Sequence, residues 1–201
     1  MWAIGRVKRQ VINMAIQSKL ISIEEYFEMA EKGILTEDDR VELIRGVIVE
    51  KMTPNSPHIA CVARLNYLFS KLPDETATIF VQSPILVPPN SVPEPDIALL
   101  KWRDDFYASK FPEAEDVLLL IEVSDSTLAD DRKVKMPLYA EGGVADYWIV
   151  NIPEGVIEVY SDLSDGSYRN VRRVGRGETL GLPEGLVGAV AIDDILGKSV
   201  L

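Results

Sequence analysis

Five consecutive apolar residues, Val117-Leu118-Leu119-Leu120-Ile121, followed by Glu122 and then Val123, constrain this chain more than any other stretch. An apolar run of strand length without alternation needs cover on both faces, which predicts an interior strand of a layered structure. Glu122 sits at the end of that run. A carboxylate there carries a desolvation cost unless it is paired, neutral or bound to a cation. The polar segment Ser124-Asp125-Ser126-Thr127 ends the strand and favours a turn into a helix. On that helix Asp131, Lys135 and Tyr139 recur every four residues. Val134 and Leu138 form the adjacent, core-facing stripe, so Lys135 leans back over the sheet. Pro137 leaves two alternatives open: a kink at that point, or a helix that begins near Pro137 with Lys135 just outside it. Gly142-Gly143 closes the helix, and Asp146 to Val150 starts the next strand.

The rest of the chain supplies partners for this unit. Its 201 residues, 47% hydrophobic and 26% charged, suffice for one globular domain, expected over residues 19–201. Residues 1–18 read as an N-terminal extension, either a flexible arm or sequence upstream of a natural start at Met14. No stretch is a transmembrane candidate and no secretory signal is evident, so no membrane association is expected. A single cysteine, Cys61, excludes a disulfide framework or a cysteine-rich zinc site and predicts a cytoplasmic protein. The net charge of -11 opposes broad binding of phosphate backbones. Arg6, Lys8, Arg9 and Lys19 stand in residues 1–21 without an acid. Subtracting these four positive charges from the total leaves -15 on the remainder.

Ser22-Ile23-Glu24-Glu25 is a capping box opening a helix through Ala30, with Gly33 as its stop. Residues 41–44 and 47–50 read as a hairpin turning at Arg45-Gly46. A helix capped by Ser56, with Pro57 in its first turn, is expected to about Leu72, facing the core with Val62, Leu65, Leu68 and Phe69. Short strands follow over 76–81, 84–87 and 97–101. After the central unit, 156–160 and 167–174 form a hairpin around Asp165-Gly166. Short strands near Leu180 and 187–192 and a helical turn at 193–196 complete the chain.

Asp96 stands at the beginning of one strand and Glu122 near the end of another; as antiparallel neighbours, they converge at one end of the sheet. Two such carboxylates offer hard oxygen ligands for Mg²⁺, and a nearby lysine would orient water or offset developing charge. Each residue has a plainer alternative. Asp96 also reads as a turn acid after proline, Glu122 as half of a structural ion pair, and Lys135 as a surface lysine paired with Asp131. Cys61, Tyr147 and Trp148 read as core.

The ordered set Pro95-Asp96, Glu122-Val123-Ser124, Asp131 to Lys135, Tyr139 and GGVADYWIVN resembles the Uma-two family of putative restriction endonucleases, within the PD-(D/E)xK nuclease superfamily. VELIRGVIVEKM, Ser56-Pro57-His58 and Gln82-Ser83-Pro84 extend the resemblance over roughly residues 20–195. It implies an α+β, restriction-endonuclease-like fold: a mixed sheet flanked by helices, with additional β-hairpins. It also implies Mg²⁺, for which Mn²⁺ can substitute, held by Asp96, Glu122 and the backbone carbonyl of Val123. The superfamily's lysine position is Ser124 here, so the resemblance passes that role to Lys135. Glu42 joins the catalytic candidates, and His58, Asp131 and Tyr139 are auxiliary ones. For Glu42 the alternative is a strand residue facing solvent or an arginine, and for His58 a structural histidine beside a helix start.

The function expected is Mg²⁺-dependent endonucleolytic hydrolysis of DNA by a homodimer, whose two-fold symmetry suits cutting two strands. The alternatives are a nuclease-like binding or regulatory module that does not cut, and a hydrolase of small phosphate esters.

Overall fold

The apolar run forms an interior strand of the main sheet, buried along nearly all of its length. The computed structural model describes residues 19–36 and 38–197, so the N-terminal extension read from the sequence lies outside the described residues. The chain runs α1 (Ile23–Glu31), β1 (Val41–Ile44), β2 (Val47–Glu50), α2 (Ser56–Phe69), β3 (Ala77–Val81), β4 (Ile97–Lys101) and β5 (Val117–Ser124). It continues through α3 (Leu128–Asp130), a π-turn (Asp131–Lys135), α4 (Met136–Gly142), β6 (Tyr147–Asn151), β7 (Val156–Ser164) and β8 (Ser167–Gly175). Last come β9 (Thr179–Gly181), β10 (Ala189–Ala191) and α5 (Ile192–Leu196). The fold is α+β: a six-stranded mixed sheet in the order β3-β4-β5-β6-β7-β8, with the two-stranded sheets β1-β2 and β9-β10 beside it.

Strand alternation divides the core in two. Ile97, Leu99, Leu119, Ile121, Val123, Trp148 and Val150 point to one face and pack on Cys61, Val62, Leu65 and Phe69 of α2 and on Ile192 and Ile195 of α5. Ala98, Leu100, Leu120, Tyr147 and Ile149 point to the other, under Leu138 and Tyr139 of α4 and Ile44 of β1. Each such side chain removed from water contributes about 1.5–3 kcal/mol, so the two-sided burial of β4, β5 and β6 dominates the stability. β5 pairs antiparallel with β4 and parallel with β6. The crossover that a parallel pair requires is the helical segment from Leu128 to Gly142.

The local signals act as expected at several points. Ser22 caps α1 with a reciprocal capping box to Glu25, and Asp165-Gly166, both left-handed, turn the β7–β8 hairpin. At the end of α4, Gly143 is left-handed, and a Cβ on Gly142 would stand 2.5 Å from Val87 Cγ1. The glycine pair thus both stops the helix and lets it close on the segment around Val87.

Other expectations need correction. The cap of α2 is Asn55, whose side chain accepts from His58 N–H, and Ser56 already belongs to the helix. The helix ends at Phe69 instead of Leu72, since Ser70 caps it. Residues 84–87 form no strand; Leu86 and Val87 make single bridges to Glu113 and Ser91. Ser124 is the buried last residue of β5 and not part of the turn. Of the two alternatives at Pro137, the second holds: α4 begins at Met136 with Pro137 in its first turn and Lys135 just outside it, although the chain before it is already helical. The turn before it widens, so that Met136 N–H donates to Asp131 O five residues back, and the proline enters α4 in its first turn. The widened turn aims Asp131 and Lys135 at the sheet and leaves Val134 38% exposed, where burial beside Leu138 was expected.

Candidate active site

The register of β4 and β5 pairs Ile97 with Ile121, and one step further sets Asp96 beside Glu122 on the face that α4 covers. The two carboxylates expected to converge therefore do so. Asp96 stands just ahead of β4, where the ladder has ended, and its Oδ2 accepts Val123 N–H at 2.9 Å in place of a strand carbonyl. Its Oδ1 accepts from Gln82 Nε2 and His58 Nε2, both at 3.0 Å. His58 Nδ1 lies 3.0 Å from the Val123 carbonyl. Since a carbonyl and a carboxylate only accept, both ring nitrogens are placed to donate, an arrangement that favours the imidazolium. Its bond to Asp96 raises the His58 pKa against the effect of burial. Burial pushes the Asp96 carboxyl up, but His58, Val123 N–H and Gln82 together hold it below its ordinary value.

Glu122 is approached from the helical segment. Lys135 Nζ lies 3.0 Å and Tyr139 OH 2.8 Å from its Oε1, and among the described residues no hydrogen bond reaches Oε2. Burial, reinforced by Asp131, Asp96 and Glu42 and only partly offset by Lys135, pushes the Glu122 carboxyl up to about 8. Lys135 is nearly enclosed, yet Glu122, Glu42 and Asp131 outweigh its burial and hold it as the ammonium. Its second partner is Glu42, at 3.3 Å. Glu42 is buried on β1, its other oxygen accepting Glu94 N–H at 3.1 Å, so neither solvent nor an arginine claims it.

Asp131 is buried too, with Ser124 Oγ at 2.6 Å and Thr127 Oγ1 at 2.8 Å from its Oδ2. Burial raises its pKa against these hydroxyls. Ser124 thus secures an acid of the helical segment, and Lys135 reaches Glu122 from the same turn. Tyr139, its hydroxyl held above its ordinary pKa by burial and by Glu122, fixes the Glu122 carboxylate.

All of these groups except Ser124 and Tyr139 line one cleft of about 410 Å³, walled by the β1–β2 hairpin and its Lys51–Asn55 continuation on one side and residues 125–135 on the other. Lys51 is paired with Glu94 and Asn55 with Asp125, which fastens the rim. Eight carboxylates line the cleft against Arg40, Lys51, Lys135 and His58. Among the described residues no three side chains of histidine, cysteine, aspartate or glutamate stand together as a ready metal cage. Asp96 and Glu122 are each held by donors of the protein itself.

Gln82 was quoted only as part of a resembling motif, and its bond to Asp96 was not anticipated. The signal was the pairing of β3 with β4, which sets Val81 against Ile97 and carries Gln82, one residue past β3, to Asp96, one residue before β4. Cys61 is core, its thiol raised to about 12 chiefly by burial, and Tyr147 and Trp148 are strand core.

A family model described as Uma2, putative restriction endonuclease, matches residues 23–193. The crystal structure of a putative nuclease belonging to DUF820 from Anabaena variabilis shares the fold: the TM-score is 0.69 at 17% identity, covering 88% of this chain and 97% of that one. Comparison with curated proteins gives no match.

Proposed function

The chain belongs to the Uma2 family of putative restriction endonucleases, and from that premise we propose that it is a Mg²⁺-dependent endonuclease hydrolysing phosphodiester bonds in DNA, with Mn²⁺ able to substitute. The observation that supports this best is the meeting of Asp96, Glu122 and Lys135 in one cleft, from three separate elements. Asp96, Glu122 and the Val123 carbonyl would hold the ion. They fit it chemically: all three offer hard oxygen, and Oε2 of Glu122 accepts no hydrogen bond among the described residues. Four buried acids, Glu42, Asp96, Glu122 and Asp131, face only Lys135 and His58, and a divalent cation would offset the charge they carry once Glu122 is ionised. Bound there, Mg²⁺ would supply an acidified water and stabilise charge on the phosphate.

The chain's own groups do the rest. Lys135, fixed by Glu122 and Glu42, would turn its remaining N–H toward the attacking water or a phosphate oxygen. Tyr139 keeps Glu122 in place, and the charge of Asp131 favours the Lys135 ammonium. β8 is an edge of the six-stranded sheet with Val171 exposed, and we assign to it the contact of a homodimer. No helix of the described residues is long and apolar enough to cross a membrane.

The acidic lining supports a second reading, in which the substrate is a small phosphate ester, less repelled than a polyanion. One experiment addresses both: titrating Mg²⁺ and Mn²⁺ into the wild type, Asp96→Ala and Glu122→Ala while following heat, nicking of supercoiled plasmid, and hydrolysis of bis(p-nitrophenyl) phosphate. Metal binding and nicking lost in both variants are expected. Hydrolysis of the small ester alone would move the assignment to the second reading. Nicking retained by both variants would overturn both.

A further inference from the structure

His58 is the chain's one histidine, and its position is more demanding than that of a structural residue at a helix start. Asn55 caps α2 and fixes His58 in its first turn, with the ring directed at the β4–β5 junction. There a closed circuit forms: Val123 N–H to Asp96 Oδ2, Asp96 Oδ1 to His58 Nε2, and His58 Nδ1 back to the Val123 carbonyl. Two of the three groups assigned to the metal are thereby tied to one imidazole.

The geometry of a five-membered ring decides the consequence. Nδ1 and Nε2 point away from each other, so the oxygens that they engage lie on opposite sides of the ring. Oxygens on one Mg²⁺, with bonds of about 2.0–2.1 Å in an octahedron, lie only about 3 Å apart. Asp96 Oδ1 and the Val123 oxygen cannot meet on one ion while the ring spans them. Oδ1 also accepts from both His58 and Gln82, which occupies its lone pairs.

We infer that His58 is an internal competitor for the metal, a removable plug whose ring must leave before Asp96 Oδ1 and the Val123 carbonyl can share the ion, Oδ2 being engaged by Val123 N–H. The inference rests on the metal assignment above and adds a residue that sets how tightly the ion is held. It opposes the ordinary role of a histidine behind a metal ligand, which orients that ligand and strengthens binding. The two roles predict changes of opposite sign. Loss of an orienting partner weakens metal binding by roughly 10–100-fold, whereas loss of a competitor tightens it.

The test is calorimetric titration of Mg²⁺ into the wild type, His58→Ala and His58→Leu, the leucine retaining most of the side-chain volume. Thermal unfolding of each verifies the fold. Tightening by about tenfold or more is expected in both variants, the size of one hydrogen bond to a charged group. A second readout uses the solitary histidine: the ring N–H signals of His58 in a ¹⁵N-labelled wild type should lose their hydrogen-bonded shifts as Mg²⁺ is added, and Asp96→Asn should abolish that response. Weakened or equal Mg²⁺ binding in the variants, or ring signals that stay hydrogen-bonded at saturation, would overturn the role of His58 and leave the metal assignment standing. No Mg²⁺ binding in any of the three proteins would overturn the metal assignment, and this inference with it.

Discussion

Two buried glutamates lie in one row across the sheet. Glu122 on β5 is paired with Ile149 on β6, and Ile149 with Glu158 on β7, so both carboxylates point to the same face with one isoleucine between them. The same π-turn serves both, sending Lys135 to Glu122 and Arg132 to Glu158. Their environments differ in completeness. Glu158 accepts Arg132 through both oxygens, Asn151 Nδ2 at 3.1 Å and Tyr160 OH at 3.0 Å. Burial pushes its carboxyl up, but these donors prevail and hold it below its ordinary value. Glu122 has two donors on one oxygen, and burial prevails. A carboxylate whose lone pairs are all engaged is structural, while one that is buried, raised in pKa and open on one oxygen is poised for a ligand.

The largest effect should come from removing the open carboxylate. Glu122→Gln is expected to reduce Mg²⁺-dependent nicking by at least about 100-fold, whereas Glu158→Gln should leave nicking per folded molecule near the wild-type rate. Loss of nicking in both variants, with both folded, would erase the distinction. Next in size, Lys135→Arg preserves the charge but not the compact ammonium that fits between Glu122 and Glu42, and a loss of about tenfold or more in nicking rate is expected. Glu158→Gln should act on stability, costing about 1–3 kcal/mol in urea unfolding, because Arg132 and Tyr160 lose a charged acceptor. Arg132→Lys, which keeps the charge and loses the two-pronged geometry, should cost about 1 kcal/mol or less.

The two glutamates should also divide the pH dependence of stability, measured in chelator. Glu158 is depressed in the folded state; its contribution is present above the unfolded glutamate pKa and disappears as pH falls through the folded one. Glu122 is raised to about 8, so its contribution is complete below the unfolded value near 4.5 and is lost as pH rises toward 8. Glu158→Gln should therefore flatten the acid limb of unfolding midpoint against pH, and Glu122→Gln the limb between about 5 and 8. Interchanged limbs would refute the contrast.

The sequence made one side of this comparison legible and not the other. Asp96, Glu122, Lys135 and Tyr139 stood out because a charge within an apolar run and a four-residue stripe are local patterns. Glu158 lies in a strand where alternation makes a solvent-facing glutamate ordinary, and only the pairing with β6 and the π-turn bury it. Glu42 was ambiguous for the same reason: nothing in VELIRG shows that Lys135, distant in sequence, will face it. The capping box of α1 and the Asp-Gly hairpin were readable from a few neighbouring residues, as was the antiparallel meeting of two strand ends. The widening before Pro137 was not, since a proline in a helical pattern allows a kink, a new start or a wider turn, and packing against β5 and β7 chooses among them.

That wider turn has a genetic consequence. It holds one residue more than an α-helical turn, with the looser hydrogen bonding that makes such turns uncommon. Deleting a single codon within 132–135 would restore regular spacing ahead of Pro137 and, because the five-residue turn already sets Asp131 one turn from Met136, would leave what precedes it in place relative to α4. The shortened protein would have the more regular helix, while the side chains inside the turn, Arg132 and Lys135 among them, would shift relative to Glu158 and Glu122. Among natural relatives, a one-residue gap at this place should therefore coincide with a changed residue at position 122, 132, 135 or 158.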